Sequence, residues 1–171
     1  MKVRTRFAPS PTGLMHIGSV RTALYAYLSA KKAGGEFWLR IEDTDQSRLV
    51  PGSVEDFTKT LKWLGLNFDK QVIQSERKET YQKFADQLTM EGKAYAKDGA
   101  IWFKMDLAGK TTVKDLVGDR TFEFENKNEK DFVIIKSDGF PTYHFAHVID
   151  DHLDEMNPII RAPEWVSSLP K

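Results

Sequence analysis

Pro9, Pro11 and Gly13 interrupt the chain between a segment of alternating character and one of helical period, and no other feature restricts the fold as much. Before them, Val3, Thr5 and Phe7 alternate with Lys2, Arg4 and Arg6, as in a strand. Each proline lacks an N–H and fixes φ, so the ladder must stop there. After them, Ile17, Val20, Leu24 and Leu28 recur at helical steps, which predicts one buried face on a helix over 16–33 that ends at Gly34-Gly35. A second strand follows over 36–42, with Phe37, Leu39 and Ile41 on one face. Strand, helix and strand at this spacing predict a parallel crossover. His16 falls at the helix start, where unpaired N–H groups and the positive dipole end suit phosphate, and Gly18 leaves room for a flat ring. Glu42, Asp43 and Asp45 fall at the carboxyl end of the second strand, where open parallel sheets keep their ligand crevice. Three carboxylates there suit a magnesium ion, an ammonium group or a solvated capping loop.

Further along, Ser53 with Asp56 forms a plausible capping pair for a helix carrying Phe57, Leu61 and Leu64 and ending at Gly65. Tyr81, Phe84 and Leu88 mark the inner face of another helix over about 76–91. From Lys93 the pattern turns to β. Asp98-Gly99 between two strand-like runs predicts a hairpin, and short strands are expected near 111–113, 121–124 and 132–135. His144, His147 and Asp151 share a face if their segment is helical, but the run shows no groups to orient metal ligands, so no metal is expected there. Ile159-Ile160-Arg161 reads as a buried strand that delivers an arginine, and Glu164-Trp165 opens another helix. The expected fold class is α/β: an incomplete Rossmann-like parallel sheet over 1–92, a small β-rich insertion over 93–135, and a return to the first domain over 136–171.

Lysine plus arginine and aspartate plus glutamate are each 25 among the 171 residues, so no global field draws in a polyanion and RNA contact must be local. The absence of cysteine excludes disulfides and thiolate metal sites. No apolar run reaches the ~20 residues of a membrane span, and the amino end lacks a signal-peptide pattern. A cytoplasmic location without membrane association is the expectation.

His16-Ile17-Gly18-Ser19 resembles the first signature of class I aminoacyl-tRNA synthetases, His-Ile-Gly-His. Ala8-Pro9-Ser10-Pro11-Thr12-Gly13 resembles the glutamyl-tRNA synthetase form of the preceding loop. Leu39-Arg40-Ile41-Glu42-Asp43-Thr44-Asp45, the Ser137-Asp138-Gly139-Phe140-Pro141-Thr142-Tyr143 stretch running on to Asp150-Asp151, and Arg161 through Lys171 are similar to further elements of that family, in the same order. Pro163 departs from an acidic position. No Lys-[Met/Leu]-Ser-Lys loop occurs.

The resemblance implies the amino-terminal half of an enzyme that joins glutamate to tRNA through glutamyl-adenylate. Its substrates would be glutamate, ATP with Mg2+, and tRNA, with no zinc. It further implies that His16, Gly18 and Ser19 attend the ATP, and that Arg6, Ala8, Ser10, Glu42, Tyr143 and Arg161 hold glutamate. In that scheme Glu42 takes the ammonium, while Arg6 and Arg161 take the side-chain carboxylate. Arg48 and Arg77 would face tRNA. His147 stands where relatives vary, and its role is open. A chain of this length is expected to be inactive alone and prone to self-association, although full-length members are expected to be monomers. The alternatives are a glutamyl-queuosine tRNA synthetase-like enzyme and a non-catalytic module that binds glutamate, ATP or RNA.

Overall fold

Strand β1 (Arg4–Phe7) stops before Pro9, and the chain resumes as helix α1 (Ile17–Lys32) with His16 as its N-cap. The computed structural model describes residues 2–171. These fall into two compact units: residues up to Lys78 with Ala146–Ala162, and Glu79–Phe145 with Pro163–Lys171. Among the described residues, no helix is long and apolar enough to cross a membrane.

The first unit is built on a parallel sheet in the order β1-β2-β3, with β2 at Glu36–Ile41 and β3 at Lys70–Ile73. Thr5 pairs with Phe37 and Phe7 with Leu39, so these side chains share one face, and Ile41 lies on the same face of β2. That face meets α1 and helix α2 (Ser53–Trp63) in a core of Phe7, Phe37, Leu39, Ile41, Phe57 and Leu61. Each such side chain contributes about 1.5–3 kcal/mol on burial. Tyr27 packs edge-on to Phe37, with ring centroids 5.6 Å apart. The opposite face carries Arg6, Trp38, Arg40 and Val72. It is buried as well: Trp38 and Val72 pack with Met156, and Arg6 is 6% exposed. Of the polar half of the alternation, Lys2 faces water, Arg4 is half-buried and Arg6 is buried.

α1 buries a different stripe from the expected one. Ala23, Ala26 and Ala30 are fully buried, whereas Ile17 is 84% and Leu28 51% exposed, and Leu24 is also exposed. Both stripes have helical spacing, so period alone cannot choose between them. The alanines let the helix lie close enough for the Thr5 hydroxyl to donate to the Ala26 carbonyl at 2.7 Å. At the helix end Gly35 abuts Val3, and a Cβ there would collide with the Val3 carbonyl oxygen. Ser53 is not the cap of α2. Gly52, at φ 84°, holds that position, and the Asp56 carboxylate accepts the Met15 N–H at 2.7 Å.

From Ala146 onward, helix α4 (Tyr143–Leu153) belongs to the first unit. The buried strand expected at 159–161 is absent. Pro158 and Pro163 bracket that segment and remove donors a ladder would need, and β1 instead makes a single bridge through Arg4 to Asn157. Trp165 lies in a short 3-10 stretch, Pro163–Ser168, rather than a full helix.

In the second unit, α3 (Lys78–Met90) follows a tight turn at Gln74–Arg77, so the helix begins two residues later than expected. β4 (Ala94–Lys97), β5 (Ala100–Phe103) and β8 (Phe132–Ile135) form an antiparallel sheet in that order. Asp98 and Gly99, at φ 52° and 75°, make the predicted two-residue turn. β6 (Lys110–Lys114) and β7 (Thr121–Glu125) pair as a separate two-stranded ribbon.

Candidate functional site

The carboxyl ends of β1 and β2 deliver Arg6, Arg40 and Glu42 to one place, and α4 lays Asp150 and Asp151 against them. Arg6 grips Asp151 with both prongs, Nε at 2.7 Å and Nη2 at 2.8 Å, while its Nη1 makes only a 3.4 Å bond to the Ile160 carbonyl. Arg40 donates to Asp151 at 2.6 Å and to Glu42 at 3.2 Å. Arg77 reaches Asp150 at 2.8 Å and Asp154 at 2.9 Å, and the Gln74 amide donates to Asp150 at 2.7 Å. Charges buried to this degree persist only when paired in this way.

The ionisation states follow from the same contacts. Burial works against the Asp151 carboxylate, but Arg6 and Arg40 outweigh it and hold the group below the usual aspartate range. Burial pushes Glu42 upward, opposed by Arg40 and Arg6. Burial also works against the charge of Arg40, yet Glu42, Asp151 and Asp150 make that guanidinium a still weaker acid than usual.

Arg161 differs from the other three arginines. Its Nη2 lies 2.9 Å from Nδ1 and 3.1 Å from Nε2 of His147, a 7% exposed residue of α4. Its Nε is buried with no hydrogen-bond partner, and it forms no salt bridge among the described residues. His147 is pushed down to about 3 by burial and by the neighbouring Arg161, so the ring is neutral at ordinary pH.

The loop between β1 and α1 lies beside this cluster, since the Glu42 N–H donates to the Pro9 carbonyl at 3.0 Å between Ala8 and Ser10. Farther along that loop, His16 caps α1 without a side-chain bond to the helix. The first intrahelical bond runs from Val20 to the His16 carbonyl, so the N–H groups of Ile17, Gly18 and Ser19 are left for a ligand or water. A Cβ at Gly18 would come within 3.0 Å of the His16 ring. Asp43 accepts the Ser75 N–H at 2.8 Å, and Asp45 accepts the Ser47 hydroxyl at 2.8 Å. These two carboxylates and Glu42 thus each have a protein partner of their own. Arg48 is exposed on a short turn, 4.0 Å from Asp45.

Arg6, Glu42 and Arg161 are therefore gathered in the first unit. Tyr143 belongs to the second, where its ring packs against Trp165 at a 35° tilt, with centroids 4.8 Å apart. The guanidinium of Arg77, expected at an RNA surface, is occupied by Asp150 and Asp154. Sequence reading assigned no role to Arg40, Gln74, Asp150, Asp151 or Asp154. A signal for Arg40 does exist, because an arginine between Leu39 and Ile41 in a strand buried on both faces requires an internal carboxylate.

A parallel α/β unit with a phosphate-type helix start and a charged crevice at its strand ends is the build of a nucleotide-binding fold. Residues 2–100 and 96–171 match the family described as tRNA synthetases class I (E and Q), catalytic domain. The chain belongs to that family. It is 41% identical to the glutamate–tRNA ligase of Dehalococcoides mccartyi, over 99% of this chain and 44% of that protein. It is also 41% identical to the Clostridioides difficile ligase, over 100% of this chain and 47% of that protein. The crystal structure of a glutamate tRNA ligase from Elizabethkingia meningosepticum, in complex with its amino acid, superposes with a TM-score of 0.93 at 34% identity, over 99% of this chain and 45% of that one. The chain thus spans less than half the length of the relatives it matches. The two family matches meet at the Asp98–Gly99 turn, and the alignment to the Dehalococcoides protein runs over 216 positions although this chain has 171 residues.

Proposed function

We propose that this chain carries the glutamate- and ATP-binding part of an ATP-dependent glutamate–tRNA ligase. The observation that carries the reading is Arg161. Arg6, Arg40 and Arg77 are each neutralised by carboxylates, whereas Arg161 meets a neutral imidazole and keeps its charge. A half-buried guanidinium without a carboxylate partner among the described residues suits the side-chain carboxylate of glutamate and leaves the amide of glutamine poorly matched.

The other parts follow. Glu42 takes the ammonium group, and Ala8 and Ser10 flank the α-carboxylate. Arg6, pinned by Asp151, contributes Nη1 beside Arg161. ATP enters as its Mg2+ complex, with its phosphates at His16, Gly18 and Ser19 on the α1 dipole. An oxygen of the glutamate α-carboxylate attacks the α-phosphorus and the bond to pyrophosphate breaks, leaving glutamyl-adenylate. A hydroxyl of the terminal adenosine of tRNA then attacks the acyl carbon and AMP departs. The protein supplies alignment and donors for the phosphate charge, with no covalent intermediate of its own. Arg48, exposed, is the residue placed towards tRNA in this reading.

Calorimetric titration of the chain with glutamate, with and without a non-hydrolysable ATP analogue, tests the proposal. Saturable glutamate binding is expected, with glutamine at least about ten-fold weaker. No saturable binding, or equal binding of the two amino acids, would overturn it.

A further inference from the structure

We propose that His147 is a positioning residue, an uncharged acceptor that fixes the Arg161 guanidinium without taking away its charge and so makes the site accept an anionic side chain. This inference rests on the glutamate-site reading above and deepens it. His147 lies on α4 one helical turn before Asp151, and the charged groups that act on it most strongly come from four segments of the first unit. These are Arg161 from the segment after α4, Arg6 from β1, Arg40 from β2, and Asp151 from its own helix. The Asp151 carboxylate is shared between Arg6 and Arg40, so it does not neutralise Arg161.

A proton on the ring would face three guanidinium groups, and a metal ion at the ring would meet the same repulsion. The ring can accept from Arg161 only through an unprotonated nitrogen. An aspartate or glutamate in its place would hold Arg161 as firmly, but it would complete an internal ion pair and remove the attraction for a ligand carboxylate. Phenylalanine would fill the space and let the guanidinium turn. The chemistry that distinguishes histidine here is an acceptor without charge.

Three variants separate these effects: His147→Gln, His147→Phe and His147→Glu, each checked for folding by circular dichroism and titrated with glutamate, glutamine and ATP. His147→Gln, which keeps a neutral acceptor, should bind glutamate within a few-fold of wild type. His147→Phe should lose about ten-fold or more in glutamate affinity with ATP binding unchanged, the scale of one lost bond to a charged group. His147→Glu should lose glutamate and bind glutamine at least as well. If the glutamate variant does not fold, the phenylalanine variant decides alone. Wild-type glutamate affinity in the phenylalanine variant, or an equal loss in the glutamine variant, would overturn the positioning role. Failure of the wild-type chain itself to bind glutamate would instead overturn the functional reading on which the role depends.

Discussion

Arg40 is fully buried and touches three carboxylates, those of Glu42, Asp150 and Asp151. Replacing it by methionine removes the charge that those groups were buried against. Breaking one partner of a buried ionic network costs about 3–5 kcal/mol, so Arg40→Met should lower the urea midpoint by that equivalent or prevent folding. A loss below 1 kcal/mol would show that the carboxylates are solvated. His147 sets a pH dependence of its own. Its folded value, about 3, lies below the ordinary histidine value, so the unfolded chain binds the extra proton between them. The stability from the neutral ring is complete above about pH 6.5 and is lost as pH falls towards 3, at up to about 1.4 kcal/mol per pH unit. Unfolding curves at pH 7 and pH 5 should therefore differ more for wild type than for His147→Gln. Equal pH dependence in the two would assign the effect elsewhere.

At the scale of elements, the deciding interactions are those that periodicity does not record. Ala26 sits against β1, so Ala26→Leu should overpack that contact and cost about 1–3 kcal/mol or more. Leu28→Gln on the opposite stripe of α1 should stay within about 0.5 kcal/mol. Thermal unfolding of the two variants checks the assignment, and the reverse order would restore the stripe expected from the sequence. Gly99→Ala at φ 75° should destabilise the β4–β5 hairpin by about 1 kcal/mol through left-handed strain, read as a lower melting temperature with an unchanged β signal.

The same elements show what could be read in advance. The proline loop, the parallel β1–β2 pair, the Asp98–Gly99 hairpin and the helical spacing of His147 and Asp151 were legible because glycine, proline and apolar spacing act locally. β3 was missed because its four residues expose Lys70 and Gln71, and only Val72 and Ile73 are apolar. The strand expected at 159–161 failed because two prolines outweigh two isoleucines. The motifs pointed to Arg6, Glu42 and Arg161, but neither their partners nor the buried Arg40 network could be read from them. That Asp151 serves Arg6 across 145 positions, and that Arg161 is left to His147, are facts of tertiary structure.

Across the whole chain the formal charge is zero, so the proposed selection of an anionic amino acid cannot come from a general field and has to be made at one site. Several cations of the second unit are paired, among them Lys110 with Glu125, Lys114 with Asp119 and Arg120 with Asp115. In the first unit the carboxylates of Glu42, Asp150, Asp151 and Asp154 pair with Arg6, Arg40 and Arg77, and Arg161 pairs with none of them. The claim on which the account turns is that this one charge reads the glutamate side chain. The most direct measurement compares glutamate and glutamine affinities of wild type and Arg161→Gln by calorimetry at neutral pH, with folding confirmed by circular dichroism. The account predicts that the variant loses about ten-fold or more in glutamate affinity while glutamine binding is unchanged or improved. A folded Arg161→Gln variant that still binds glutamate as wild type does, and still prefers it to glutamine, would contradict it.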